Sequence, residues 1–97
     1  ILDWKTNQLG KHYDHYTPSK LKESMIHSFY NLQYYIYTVA IHKYLESRID
    51  GYNYNTHFGG SFYLYVRGVH SEKKGNGIFF DKPDQSLIED LCVLFGI

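Results

Sequence analysis

Ser61-Phe62-Tyr63-Leu64-Tyr65-Val66-Arg67-Gly68-Val69, followed after a polar stretch by Gly75-Asn76-Gly77 and Ile78-Phe79-Phe80, decides the fold class of this chain. Successive side chains of a strand point to opposite faces, so Phe62, Leu64 and Val66 lie on one side and Tyr63 and Tyr65 on the other. Both sides are apolar, which predicts a strand in the middle of a sheet covered on both faces. The Gly75-Asn76-Gly77 turn sends the chain back into a short strand over Ile78–Phe80, so Ser61–Phe80 reads as a hairpin with a loose tip.

Upstream of the hairpin, Tyr52–Gly60 is a loop closing on Gly59-Gly60, and Asp50-Gly51 ends the longest element, a helix from about Phe29 to Ile49. An earlier helix starts at Thr17-Pro18, with Thr as N-cap and Pro at the first helical position, and runs to about His27. Asn7–Tyr16 is a polar loop, and Ile1–Thr6 a short strand. Downstream, Asp84 is placed to cap a last helix whose Leu87, Ile88, Leu91, Leu94 and Phe95 recur at helical spacing. The class is α/β, a short mixed sheet flanked by helices, without repeats or a second domain. The chain opens without Met, straight into a strand with no partner before it, which reads as a fragment of a longer protein.

Ninety-seven residues with 43% hydrophobic and 19% aromatic content fit one small packed domain or a piece of a larger one. Ten Lys+Arg balance ten Asp+Glu, so bulk charge neither supports nor excludes a nucleic-acid partner. The single Cys92, set among Leu91, Val93, Leu94 and Phe95, rules out an internal disulfide or a cysteine-ligated cluster and reads as a buried thiol. No apolar run approaches the roughly 18 residues that cross a membrane. The expectation is a soluble, cytoplasmic protein.

Two places carry possible chemistry. Asp3 and Lys5, two apart on the opening strand, point the same way with Cα atoms about 6.6 Å apart. A carboxylate there can hold Mg²⁺, a hard cation that takes oxygen ligands, while the ammonium stabilises a phosphate or positions a water. Taken alone, Asp-x-Lys is common, and a solvated ion pair is its ordinary meaning. The second place is the long helix. At about 100° per residue, Asn31, Tyr35, Thr38, His42 and Glu46 form the expected solvent face, with Phe29, Gln33, Tyr37, Ala40 and Tyr44 opposite and buried. A buried Gln33 must find partners or cost about 1–3 kcal/mol. It is either a core amide satisfied by backbone or, with Tyr37 one turn along, part of the cleft that holds Asp3 and Lys5.

Other residues favour plainer readings. His12 and His15 lie in a polar loop without carboxylate or thiol partners and read as surface histidines. Lys73-Lys74 reads as a solvated turn, and Tyr63 and Tyr65 as core rather than base-stacking rings.

Leu2-Asp3-Trp4-Lys5-Thr6-Asn7 with Leu9-Gly10, Tyr16-Thr17, Asn31-Leu32-Gln33-Tyr34 and Tyr37-Thr38 closely resembles the nuclease domain of the RecB-type helicase-nucleases, the exodeoxyribonuclease V beta subunits. His57-Phe58-Gly59-Gly60, Tyr63-Leu64, Arg67-Gly68-Val69, Gly77-Ile78 and Lys82-Pro83 continue the likeness in order along nearly the whole chain. The resemblance implies the C-terminal part of a PD-(D/E)xK, restriction-endonuclease-like core. It further implies Mg²⁺ on Asp3 and the backbone carbonyl of Trp4, with Lys5 as the catalytic lysine. Gln33 and Tyr37 would be the family's Gln-xxx-Tyr helix motif. The family's upstream Asp and a more distant His ligand have no counterpart in these residues, so the isolated segment is expected to be inactive. No Gly-rich phosphate loop is present, which assigns ATP use to a helicase region outside the chain. By the same resemblance, DNA is the substrate, RecC and RecD are companion subunits, and RecA is loaded onto single strands. The alternative is a catalytically silent nuclease-like module that docks DNA or RecA; a relative with an iron–sulfur cluster is disfavoured by the lone Cys92.

Overall fold

The computed structural model describes all of residues 1–97. Three strands form one mixed sheet in the order β1-β2-β3, where β1 is Leu2–Lys5, β2 is Ser61–Tyr65 and β3 is Ile78–Asp81. The opening strand does find a partner: β1 runs parallel to β2 with Asp3 beside Tyr63 and Lys5 beside Tyr65, and β3 closes the hairpin antiparallel to β2. Parallel neighbours need a long crossover. It is supplied by helices α1 (Pro18–His27) and α2 (Tyr30–Arg48) and the one-turn helix α3 (Tyr54–His57); α4 (Gln85–Phe95) follows the sheet. The α/β class and the mixed sheet flanked by helices are as expected.

Several expectations need correction. β2 stops at Tyr65, and Val66–Val69 leaves the ladder, because the backbone of Gly77 returns across Tyr65, Gly68 and Val69. A Cβ on Gly77, whose φ is +76°, would lie 2.6 Å from the Val69 nitrogen, so the return is open to glycine alone. Asp84 and Thr17 occupy N-cap positions, but neither side chain makes a capping hydrogen bond. On α4 the chain buries Ile88 and Cys92, whereas Leu87, Leu94 and Phe95 are exposed. The central strand is covered on one face only: Ser61, Tyr63 and Tyr65 are buried, and Phe62 and Val66 are in water.

The phase of α2 is also different. Its buried side is Tyr34, Thr38, Val39 and His42, while Phe29, Tyr37, Ala40 and Tyr44 are exposed. Thr38 (0% exposed) and His42 (6%) were expected in solvent and lie inside. They are tolerated there because each has a partner. The Thr38 hydroxyl donates to the Tyr34 carbonyl at 2.6 Å, and His42 Nδ1 lies 2.8 Å from the Tyr52 hydroxyl.

The core is two clusters. Tyr16, Leu21, Met25, Tyr34, Tyr63 and Tyr65 pack between the sheet and helices α1 and α2. Val39, Tyr54, Phe58, Ile88 and Cys92 fill the space between α2, α3 and α4. Cys92 is the buried thiol expected.

Candidate active site

The covered face of the sheet brings the sequence candidates together. β1 sets Asp3 and Lys5 on that face, and the two side chains meet in an ion pair of 3.3 Å, with the Lys5 side chain 13% exposed and that of Asp3 26%. Lys5 is therefore largely withdrawn from water and needs more than one partner. Its ammonium donates to Gln33 Oε1 at 3.4 Å and stands 4.1 Å from the centroid of the Tyr30 ring, whose negative face attracts a cation. The Tyr30 hydroxyl in turn donates to Asn7 Oδ1 at 3.2 Å, which ties the loop after β1 to α2.

Gln33 reaches the site from the flank of the buried stripe of α2 rather than from its centre. Its Oε1 accepts from Lys5 and, at 2.6 Å, from the Tyr63 hydroxyl. Two donors on one atom fix that atom as the oxygen and turn the amide nitrogen outward. The Nε2 donates to the Tyr37 hydroxyl at 3.5 Å and keeps a second N–H for a ligand. Tyr37 thus joins the site through Gln33, from an exposed position on α2. His42 belongs to the other core cluster's neighbourhood, against Tyr52 and Tyr54, and Glu46 pairs with Lys43.

Tyr63 is the residue that the sequence assigned to the core alone. It is fully buried and also a member of the site, because parallel pairing sets it beside Asp3 and its hydroxyl reaches Gln33. Burial raises its phenol above the usual tyrosine range, and the nearby negative charge of Asp3 raises it further, so it remains a donor at neutral pH. The signal was long-range: only knowledge that β1 pairs with β2 places Tyr63 and Asp3 together. Tyr30, at the start of α2, meets Lys5 only through the packing of that helix on the sheet.

The carbonyl of Trp4 is available as well. Ile1 and Lys5 carbonyls accept from Phe62 on β2 and from Val66 just past it, so the alternate residue, Trp4, directs its carbonyl the opposite way, to the free edge of β1. No cluster of three or more His, Cys, Asp or Glu exists anywhere in the chain. The donors near β1 amount to one carboxylate and one carbonyl, both oxygen, which suits Mg²⁺ and not zinc or iron. They fit part of its shell, with water and phosphate oxygen as the usual remainder.

No family model matches the chain. Curated relatives do. Over 96 residues the chain is 45% identical to the RecBCD enzyme subunit RecB of Buchnera aphidicola from Acyrthosiphon pisum, covering 99% of the chain and 8% of that protein. It is 43% identical over 95 residues to the RecBCD enzyme subunit RecB of Haemophilus influenzae, covering 98% of the chain and 8% of the relative. Against that of Escherichia coli K12 the identity is 43% over 96 residues, covering 99% of the chain and again 8% of the relative. The chain therefore spans about one twelfth of the length of these relatives.

Proposed function

The chain is homologous to a segment of RecB, and on that premise we propose that it is part of the Mg²⁺-dependent nuclease domain of a RecBCD-type helicase-nuclease, hydrolysing DNA phosphodiesters in repair and recombination. The observation that carries the proposal is the convergence of Asp3, Lys5, Gln33 and Tyr63 on one face of the sheet. A solvated surface ion pair needs no amide or phenol beside it. Here two further elements are spent on orienting a lysine that lies next to a carboxylate.

Asp3 and the Trp4 carbonyl are the groups that would hold Mg²⁺, which when bound polarises a phosphoryl oxygen and acidifies a water. Lys5 carries a fixed positive charge toward a phosphate, where it offsets the negative charge that grows in the transition state. Gln33 and Tyr63 keep that charge in place, and Tyr37 and the outward N–H of Gln33 are free to donate to phosphate oxygens. In this reading DNA is the substrate, RecC and RecD are the companion subunits, and RecA is the protein loaded onto the product strand. No helix of the structure is long and apolar enough to cross a membrane.

The test is Asp3→Ala in the full-length helicase-nuclease that carries this segment. DNA cleavage should fall by at least about a hundredfold, the scale set by misplacing reacting groups by about 1 Å, while ATP-driven unwinding in the same preparation stays near the unsubstituted level. Cleavage at the unsubstituted rate would remove Asp3 from the chemistry.

A further inference from the structure

Just past the C-terminal end of β1 lies a cavity of about 380 Å³ whose lining includes Gln8, Gly10, Lys11, His12, Tyr16 and Arg67. Lys11, His12 and Arg67 are its charged or chargeable members, and no Asp or Glu lines it. In a chain whose basic and acidic residues balance at ten each, a concave surface with cations alone is a local departure that favours an anion. Asp14, the acid of the neighbouring helical turn, is held 3.4 Å from Lys73.

The walls are fixed rather than loose. Arg67 Nε donates to the Thr6 carbonyl at 2.9 Å, which orients the guanidinium and leaves both terminal nitrogens for a ligand. A fork of that kind matches two oxygens of a phosphate. The buried Tyr16 donates its hydroxyl to the Gly10 carbonyl at 3.3 Å and accepts from the Leu9 N–H at 3.1 Å, pinning the loop that carries Lys11 and His12. Gly68, next to Arg67, lies so close that a Cβ there would sit 2.2 Å from Tyr16 Cβ. Tyr16 thereby locks the basic loop and Arg67 to one another. Thr6, the anchor of Arg67, directly follows Lys5, and consecutive Cα atoms are about 3.8 Å apart. Through that contact Arg67, a member of the cavity wall, is anchored one residue along the chain from Lys5.

We propose that Arg67, with Lys11 and His12, is a phosphate subsite that grips the single-stranded DNA backbone beside the phosphodiester presented to Asp3 and Lys5. This rests on the nuclease reading for its ligand and its position. It assigns positioning, and not bond cleavage, to Arg67. The cations of the lining ask for a backbone phosphate, a contact that positions a strand without reading its bases.

The test is binding of a fluorescent oligo-dT to the chain in EDTA, followed by anisotropy across a salt series, so that binding is read without metal or cleavage. The variants are Arg67→Ala, Arg67→Lys and Lys11→Ala, with Lys43→Ala on α2 as the distant control, each checked for folding by circular dichroism. Each of Arg67→Ala and Lys11→Ala should weaken binding by roughly tenfold and lower the slope of log K against log salt by about 0.7, the value for one lost phosphate contact on a single strand. Arg67→Lys should restore the slope but only part of the affinity, because a point charge replaces a fork. Lys43→Ala should change neither. Lys11 is exposed, so its variant remains informative if Arg67→Ala fails to fold. An unsubstituted chain without salt-dependent binding, or variants that keep its slope and affinity, would overturn the subsite. Loss of slope here, combined with full cleavage by Asp3→Ala in the long enzyme, would retain the strand grip and remove the nuclease assignment instead.

Discussion

The two faces of the sheet are built from alternate residues of the same three strands, yet they differ in nearly every physical respect. On the covered face Ser61, Tyr63 and Tyr65 are buried under α1 and α2, and the tyrosine hydroxyls all have partners: Tyr63 on Gln33 at 2.6 Å, Tyr65 on Ser24 Oγ at 3.0 Å. On the other face Leu2 and Trp4 are 60% exposed, Phe62 42% and Phe80 50%. The radius of gyration, 15.2 Å, exceeds the roughly 13 Å of a compact chain of this size, as expected of a molecule whose sheet is layered on one side. The tyrosines mark the side where an apolar ring and a polar tip are both used. On the uncovered side, by contrast, Leu2, Phe62 and Phe80 are rings and aliphatic chains without such tips.

The sharpest break of this comparison is at Tyr63. Tyr63→Ala removes a fully buried ring and should cost about 3–5 kcal/mol, the range for large aromatic deletions in a core. For a chain that buries only 19 of its 97 residues, that is a large share of the 5–15 kcal/mol typical of folded domains. Tyr63→Phe keeps the packing and removes the bond to Gln33, at about 1 kcal/mol. Urea unfolding of the two variants separates packing from the hydroxyl. A Tyr63→Ala variant as stable as Tyr63→Phe would show that the covered face is no core.

A second measurement uses the tyrosines as reporters of burial. Burial raises the phenols of Tyr34, Tyr52, Tyr54, Tyr63 and Tyr65, that of Tyr54 to about 12, and the Asp81 carboxylate accepting from Tyr34 at 2.5 Å raises that group further. In the unfolded chain each titrates near pH 10. Above that pH the unfolded state has lost protons that the folded state retains, so stability is fully present below about pH 10 and falls as pH rises toward the folded values. Each such tyrosine adds up to about 1.4 kcal/mol per pH unit to the decline. Urea midpoints between about pH 9 and pH 11 should drop steeply, and Tyr34→Phe should flatten the drop by one tyrosine. A flat profile would mean that these hydroxyls reach solvent.

How much of this was legible in the sequence depends on the range of the interaction. Asp3 and Lys5 share a face because strands alternate, a rule that needs two residues only. Gln33 and Tyr37 were expected beside them, and Gln33 does touch Lys5, although the helix phase behind that expectation was nearly reversed. α2 has Tyr, Ile and Leu on every side, so the period of 3.6 had little contrast to act on. Thr38 and His42 misled because their polar atoms are satisfied internally, by Tyr34 and Tyr52. Likewise β2 looked fit for burial on both faces since its composition is apolar throughout, and composition does not say what lies above a strand. Tyr63 and Arg67 needed the β1–β2 pairing and the Thr6 contact, which join residues some 60 positions apart.

The smallest effect is expected on the uncovered face, at Phe62. Its ring lies 4.6 Å, centroid to centroid, from that of Phe80 at a tilt of 42°, and both rings are about half in water. Phe62→Thr keeps a residue that favours strands and leaves the ladder with β1 and β3 in place. It removes an exposed aromatic pair worth about 0.5–1.5 kcal/mol beyond its area, in part offset because less apolar surface then faces water in the folded state. The net loss should be about 1 kcal/mol or less, a fraction of that for Tyr63→Ala one residue along the same strand. Binding of a hydrophobic dye and concentration-dependent light scattering should fall at the same time, since contiguous exposed apolar surface is what drives both. Urea unfolding and dye titration on the same preparation check the two halves. A loss as large as that of Tyr63→Ala, or dye binding unchanged, would mean that Phe62 is packed against something in solution and that the two faces are not as different as the structure shows.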